Sequence, residues 1–392
     1  MDKPQVSIVK CKTYNPPELF LKVKESLELI GGIERFVKPG SQVLVKPNLL
    51  MATLPDTGIT THPEFVRAVI RILKSLGCKV IVGDGPSVFG SQIENVLKVY
   101  EQTGIQKIAQ EEAVELVVFD KRYMPASPAG SPGGETAGRL TYFPLTNWVK
   151  DCDYIVNIPK FKTHEYMILT GAVKNLFGLI PGTFKLECHK NFHQPEDFAK
   201  MLLDVYAAVK PAISIVDGIT GIEGNGPATS GTKRDFGLIL ASPDALALDT
   251  VLAGIMDTNP KNIYTLKEAA KRGISSLNLS DIEVKGEPLS SCVIPDFRLP
   301  GTSLMQRIRN KLPQPIANIL KRMVTFRPKI DTDVCRLCEA CVKNCPQKIM
   351  SKKDNRIVID YSQCISCFCC REVCPYAAIG IKKSFLAKIL SK

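Results

Sequence analysis

One tryptophan and four histidines serve a chain of 392 residues, in which aromatic residues make up only 7%. Basic residues that lack interleaved aromatics form no stacking platform, which argues against nucleic-acid binding. No nearly uncharged stretch approaches the roughly 20 apolar residues that a membrane span requires. The opening residues, Met1-Asp2-Lys3-Pro4, contain no apolar leader core, so a cytoplasmic location with reduced cysteines is expected. The glycine-rich stretch after Asp217 matches neither the Walker pattern nor the dinucleotide fingerprint, which argues against a nucleotide site there. There is no long internal repeat apart from one short cysteine pattern that occurs twice.

That pattern organises the C-terminal quarter. Cys335, Cys338, Cys341 and Cys345 precede Pro346, and Cys364, Cys367, Cys370 and Cys374 precede Pro375, each reading C-x2-C-x2-C-x3-C-P. A cubane iron–sulfur cluster needs four thiolates, and one short loop wraps only three around it, so the fourth cysteine of each run closes the other cluster. Cys335, Cys338, Cys341 and Cys374 are therefore assigned to one [4Fe–4S] cluster, and Cys364, Cys367, Cys370 and Cys345 to a second. A zinc site is the competing reading, but two runs each closed by proline favour iron. Residues 330 to 382 resemble a bacterial-type two-cluster ferredoxin. Many such loops place glycine after the second cysteine, whereas Glu339 and Phe368 stand there in this chain. Glu339 adds negative charge beside its cluster and is expected to lower the potential. Cys369 falls outside the ligand register and reads as a small packed hydrophobe.

The net charge of +12 is unevenly placed: residues 296 to 392 hold 19 Lys and Arg against 7 Asp and Glu, while the remainder balances. Two clusters with their thiolates offset about four of these charges. The residual basic face suits an acidic donor of the ferredoxin or flavodoxin type. Residues 296 to 329 read as a basic linker with an apolar stripe, and 383 to 392 as a basic tail. Either suits an anionic membrane surface or packing on the protein, and packing is the simpler account.

Residues 1 to 295 alternate strands and helices. Strands are expected at Val6 to Val9, Gln42 to Pro47, Lys79 to Asp84, Glu115 to Phe119, Tyr154 to Pro159, Ile213 to Asp217 and Phe236 to Ala241. Helices are expected at Pro16 to Gly31, Pro63 to Gly77, Pro195 to Val209, Asp244 to Met256 and Pro260 to Arg272. This pattern predicts an α/β fold, a largely parallel sheet with helices on both faces, beside a small α+β cluster domain. Residues 122 to 138 read as a surface excursion, and the five glycines from Gly218 to Gly231 as a flexible lid.

Chemistry in such sheets gathers at the carboxyl ends of strands. Those ends deliver Lys46, Asn48, His62, Lys160, Lys162, His164, Lys174, Asn175 and Lys185. The segments VLVKPN, NIPKFKTH, TGAVKNLFG with IPG, and SPDALALD, which carry most of them, resemble the domain-of-unknown-function 362 family over residues 5 to 290. That resemblance implies a fold and an iron–sulfur association, and no reaction. The residues themselves suggest more. Converging lysines repel, and an anion between them lowers the cost, so Lys46, Asn48, Lys160, Lys162 and Asn175 read as binding an anionic small molecule. His62, His164 and Lys174 read as catalytic proton carriers. Cys188, His189 and His193 carry metal-ligand spacing, but Pro195 cuts that polar stretch short. Two function classes follow: a reductase passing cluster electrons to a bound anion, or an accessory electron-transfer protein whose large domain docks another enzyme. The convergence of lysine and histidine favours the reductase, and the lack of a flavin or nucleotide signature weighs against it.

Overall fold

The computed structural model describes residues 3–86, 93–119, 123–126, 143–303 and 324–390. In chain order its main strands are β1 (Gln5–Lys10), β2 (Gln42–Pro47), β3 (Lys79–Gly83) and β4 (Glu115–Val117). A separate antiparallel pair follows, β5 (Tyr123–Ala126) with β6 (Phe143–Thr146). The main sheet resumes with β7 (Tyr154–Ile158), β8 (Lys160–His164), β9 (Ile168–Leu169), β10 (Ile213–Gly224), β11 (Gly231–Ser242) and β12 (Glu283–Gly286). Its order is β12-β1-β11-β10-β7-β2-β3-β4, with β8 paired to β10 and β9 to β8. Strands β10, β7, β2, β3 and β4 run parallel, and β11 is antiparallel to both of its neighbours.

Alternation along β2 shows why helices cover both faces. Val43 and Val45 enter a core with the helices Pro16–Glu28, Pro63–Ser75, Ile93–Gln102 and Ile105–Glu111, whereas Leu44 enters the core of the opposite face. That second core is completed by the helices Pro195–Val209, Ala245–Ile255 and Tyr264–Lys271. A strand buried on both faces must be apolar at consecutive positions, which is why VLV reads as a continuous run. Helix starts follow local chemistry. Pro63 opens its helix while His62 Nδ1 accepts the Glu64 amide at 3.2 Å, and Asp244 accepts the amides of Leu246 and Ala247.

Several expectations need correction. The glycines after Asp217 are not a lid: β10 continues through them to Gly224 and pairs antiparallel with β11. At Gly221 a Cβ would lie 2.0 Å from the Phe161 carbonyl oxygen, so glycine is needed for close approach of β8 to β10. Residues Lys160 to His164 are themselves a strand rather than a loop. Gly182–Asn191 is a helix that lacked an amphipathic signal in the sequence, and the expected helix at Pro260 to Arg272 splits into a 3-10 turn and Tyr264–Lys271. Most of the expected surface excursion, 122 and 127–138, and most of the expected linker, 304–323, lie outside the described residues. No helix among the described residues is long and apolar enough to cross a membrane.

The C-terminal unit closes with β13 (Phe326–Ile330) antiparallel to the last strand, and encloses the hairpin of β14 (Met350–Lys353) and β15 (Arg356–Ile359) before β16 (Ile379–Lys383) completes the pair. Its two cysteine runs adopt the same backbone. Glu339 and Phe368 have φ of +59° and +61°, each followed by a one-turn helix, Ala340–Lys343 and Cys369–Glu372. These are left-handed positions where glycine is favoured, and two bulky residues hold them here.

Candidate functional site

Strand β8 alternates, so Lys160, Lys162 and His164 share one face while Phe161 fills the core behind them. All three polar side chains are buried. An ammonium group out of water needs a partner, and the fold supplies one to each lysine. Lys160 Nζ lies 2.7 Å from Asp217 Oδ2 and donates to Tyr14 Oη at 2.8 Å, while Tyr14 donates to Asp217 Oδ1 at 2.8 Å. His62 belongs to this group: its amide donates to Asp217 Oδ2 at 2.9 Å, and its ring stacks 3.8 Å from Tyr14. Lys46 pairs with Asp84 at 2.7 Å, Lys162 donates to the Ile59 carbonyl at 2.5 Å, and Lys185 donates to the Gly85 carbonyl. The chain thus provides internal carboxylates for Lys46 and Lys160. Asn48 donates to Asn175 at 2.8 Å, and Asn175 to Asn157 at 2.8 Å, an amide chain that ties β2 to β7 and the helix Gly171–Asn175.

A second group forms at the other end of β8. His164 Nδ1 accepts the amides of Tyr166 and Met167 at 3.2 and 3.3 Å, and its Nε2 lies 3.3 Å from Glu372 Oε1. Two amides on Nδ1 leave the proton on Nε2, facing the carboxyl group. Burial, reinforced by Lys174 and Lys162, holds the His164 pKa well below its ordinary value, so the ring is neutral. Burial likewise draws Lys174 down, opposed by Glu372 and Cys369. Lys174 sits 5.6 Å over the Phe177 ring and has no hydrogen bond or ion pair among the described residues. The structure therefore unites His164, Lys162 and Lys174 with Glu372, and sets His62 apart with Lys160.

His189 lies beside this second group, stacked 4.8 Å from Phe198, and burial pushes its pKa down to about 3. A histidine depressed in the folded state is protonated first in the unfolded chain, so stability falls as pH drops from about 6.5 towards 3. Relative to the ring-conserving variant His189→Phe, the wild-type protein should lose about 2 kcal/mol more between pH 7 and pH 5. Denaturant titrations of both proteins at the two pH values measure this, and parallel stability profiles would contradict it.

The eight cysteines of the doubled run line two cavities. Cys335, Cys338, Cys341 and Cys374 surround one, and Cys345, Cys364, Cys367 and Cys370 surround the other. Burial and the crowding of Cys374, Cys338 and Cys335 push the Cys341 thiol up to about 11, so it becomes a thiolate only beside a cationic centre. No three His, Cys, Asp or Glu side chains among the described residues converge on a single ion-sized point. Four thiols around each cavity form the donor set that a [4Fe–4S] cluster takes. Cys188 is buried and pushed up to about 12 by that burial, apart from any ligand set with His189 and His193. Cys369 is fully buried and packs against Cys367 and Leu186.

The two units meet across polar contacts that the sequence reading missed. Arg371 pairs with Glu165 and donates to the Ile379 carbonyl at 2.8 Å, and Thr229 donates to the Cys374 carbonyl at 3.0 Å. Glu372 and Arg371 lie between Cys370 and Cys374, and Glu165 follows His164. Their adjacency to motif residues was the available signal. Tyr14 carried none.

Two family models match this chain. Residues 43–254, more than half of the chain, match the model for "Domain of unknown function (DUF362)", and residues 327–375 match that for a 4Fe-4S dicluster domain. A thylakoid-associated protein of Synechocystis sp. is 34% identical over 271 residues, covering 69% of this chain and 80% of that protein. Pyruvate synthase subunit PorD of Methanothermobacter marburgensis is 37% identical over 59 residues, 15% of this chain and 69% of that subunit. The lactate racemase apoprotein of Thermoanaerobacterium thermosaccharolyticum is a distant structural neighbour: TM-score 0.39, 13% identity, 62% of this chain and 55% of that one, too loose to bear on function. The dicluster match makes the C-terminal unit an iron–sulfur electron-transfer domain, and the chain as a whole belongs to the domain-of-unknown-function 362 family.

Proposed function

We propose that this chain is a reductase in which two [4Fe–4S] clusters pass electrons to an anionic small molecule held by Lys162 and Lys174. The supporting observation is the 3.3 Å contact between His164 on β8 and Glu372, which lies between two cysteines of the doubled run. Cys345, Cys364, Cys367 and Cys370 would hold the cluster nearest this contact, and Cys335, Cys338, Cys341 and Cys374 the other. The clusters would supply electrons one at a time. Lys174 would bind the substrate anion and, its pKa drawn down by burial, give a proton to the reduced product. Lys162 would add the second positive charge. His164 would orient Glu372 through Nε2–H, and His62, stacked on Tyr14, would position the neighbouring group. An acidic one-electron donor fits the first cavity, where Cys338 is exposed and Lys343, Lys348, Lys352, Lys353 and Arg356 stand on the surrounding surface.

The accessory-protein reading draws on one observation: Lys46, Asn48, Lys160 and Asn175 are committed to internal partners. Lys174→Met separates the two. It keeps the length of the side chain, removes the charge, and relieves a buried ammonium of its desolvation cost. Reoxidation of the chemically reduced clusters by small anionic acceptors should slow by about 100-fold or more, with the melting temperature little changed. An unaltered rate would favour the accessory reading.

A further inference from the structure

A cleft of about 450 Å3 opens between the two units beside Cys364. Its walls carry four aromatic rings, Tyr166 and Tyr264 from the large domain and Phe326 and Phe368 from the cluster domain. Rings of this kind accept a planar conjugated ligand face-on or edge-on. One polar group on this wall is unspent. Glu165 is buried, one carboxylate oxygen meets Arg371, and Oε1 has no hydrogen-bond partner among the described residues. A buried acceptor without a donor costs free energy unless a ligand N–H reaches it. Gln194 on the same wall carries both a carbonyl and an amide. The cleft therefore presents apolar faces for a ring and an edge able to read an imide.

A smaller pocket of about 140 Å3 shares Thr325 and Arg327 with this cleft and is otherwise lined by Tyr361, Lys382, Lys383 and Ser384. Arg327 gives one N–H to the Tyr361 carbonyl at 3.0 Å and stacks 5.7 Å over that ring, which fixes its guanidinium in place. Arg327 and Lys382 are register partners across β13 and β16, so their side chains share one face of the pair, and two cations around so small a space match a phosphate group.

We propose that the cleft and its cationic annex form a site for a phosphorylated flavin, with the ring between the aromatic walls beside Cys364 and the phosphate at Arg327 and Lys382. The proposal rests on the electron-transfer reading above and deepens it. A flavin takes electrons singly and gives them as a pair, the conversion that one-electron clusters need to reduce an organic anion. A quinone carries no phosphate and would leave the annex unused.

The test uses the full chain with reconstituted clusters, kept anaerobic, and equilibrium ultrafiltration with flavin mononucleotide, riboflavin or a water-soluble naphthoquinone. Flavin mononucleotide should be retained at about one per chain, and riboflavin should bind at least about tenfold more weakly, the worth of one charge-assisted contact. Arg327→Gln should reduce flavin mononucleotide to the affinity of riboflavin and leave riboflavin unchanged, while Tyr264→Ala should weaken both. Retention of neither flavin, equal affinity for the two, or retention of the naphthoquinone alone would each overturn the proposal. Those results on a protein with intact, reducible clusters would leave the reductase reading standing. That reading fails separately if Lys174→Met has no effect.

Discussion

Replacing Cys370 with serine is expected to cut the iron content from about eight to about four atoms per chain and to abolish electron delivery to the large domain. Cys370 lines the cavity shared with Cys345, Cys364 and Cys367, and it opens the segment that carries Arg371 and Glu372 into the large domain. Serine is a poor iron ligand, so that cluster should be lost or strongly destabilised. The cluster held by Cys335, Cys338, Cys341 and Cys374 draws on none of the lost thiolate and should remain reducible. Iron analysis, visible absorption and electron paramagnetic resonance of the reduced protein check this together. Serine at Cys338, the exposed ligand, should give the mirror result: the same iron loss, with the cluster next to His164 retained. Full iron content in either variant would refute the assignment of that cysteine as a cluster ligand. Stoichiometric zinc without charge-transfer absorption would refute iron altogether.

The doubled cysteine run was legible because its spacing repeats, and the four cysteines expected around each cluster line one cavity each. The α/β pattern was legible for a similar reason, since strands buried on both faces, such as Val43 to Val45, must be apolar throughout. What escaped the sequence was pairing across long separations. Asp84 directly follows β3 and Asp217 lies within β10, and nothing in their neighbours announces that they neutralise Lys46 and Lys160. Lysines that read as a rim awaiting an external anion are thereby satisfied from within, and only Lys174 stands without an ionic or hydrogen-bonded partner among the described residues. Glycine misled in the same way. At Gly178 a Cβ would lie 2.2 Å from Asp84 Oδ1 and 2.6 Å from Lys46 Nζ, so the glycine marks close packing over an ion pair. Glu372 escaped notice because the cysteines on either side of it drew all the attention to the cluster.

The buried carboxylate at Asp217 leads to the second large effect, this time on stability. Its two oxygens accept from Lys160 Nζ, Tyr14 Oη and the amide of His62, and both Asp217 and Lys160 are buried. Asp217→Ala removes the acceptor from all three donors and strands an ammonium group in a site with no access to water. Breaking a buried pair from one side costs about 3–5 kcal/mol, far more than the pair is worth in total, because the remaining charge is uncompensated. The origin of that cost is testable. Lys160→Met in the Asp217→Ala background keeps the volume, removes the charge, and should restore most of the lost stability, whereas Tyr14→Phe in that background should restore little. Denaturant unfolding of the large domain followed by circular dichroism gives the three values, with iron content as the control that the cluster unit is unchanged. A loss below about 1 kcal/mol for Asp217→Ala, the range of an exposed pair, would mean that water reaches this site. Failure of Lys160→Met to rescue would place the cost in the backbone and Tyr14 contacts instead of the stranded charge.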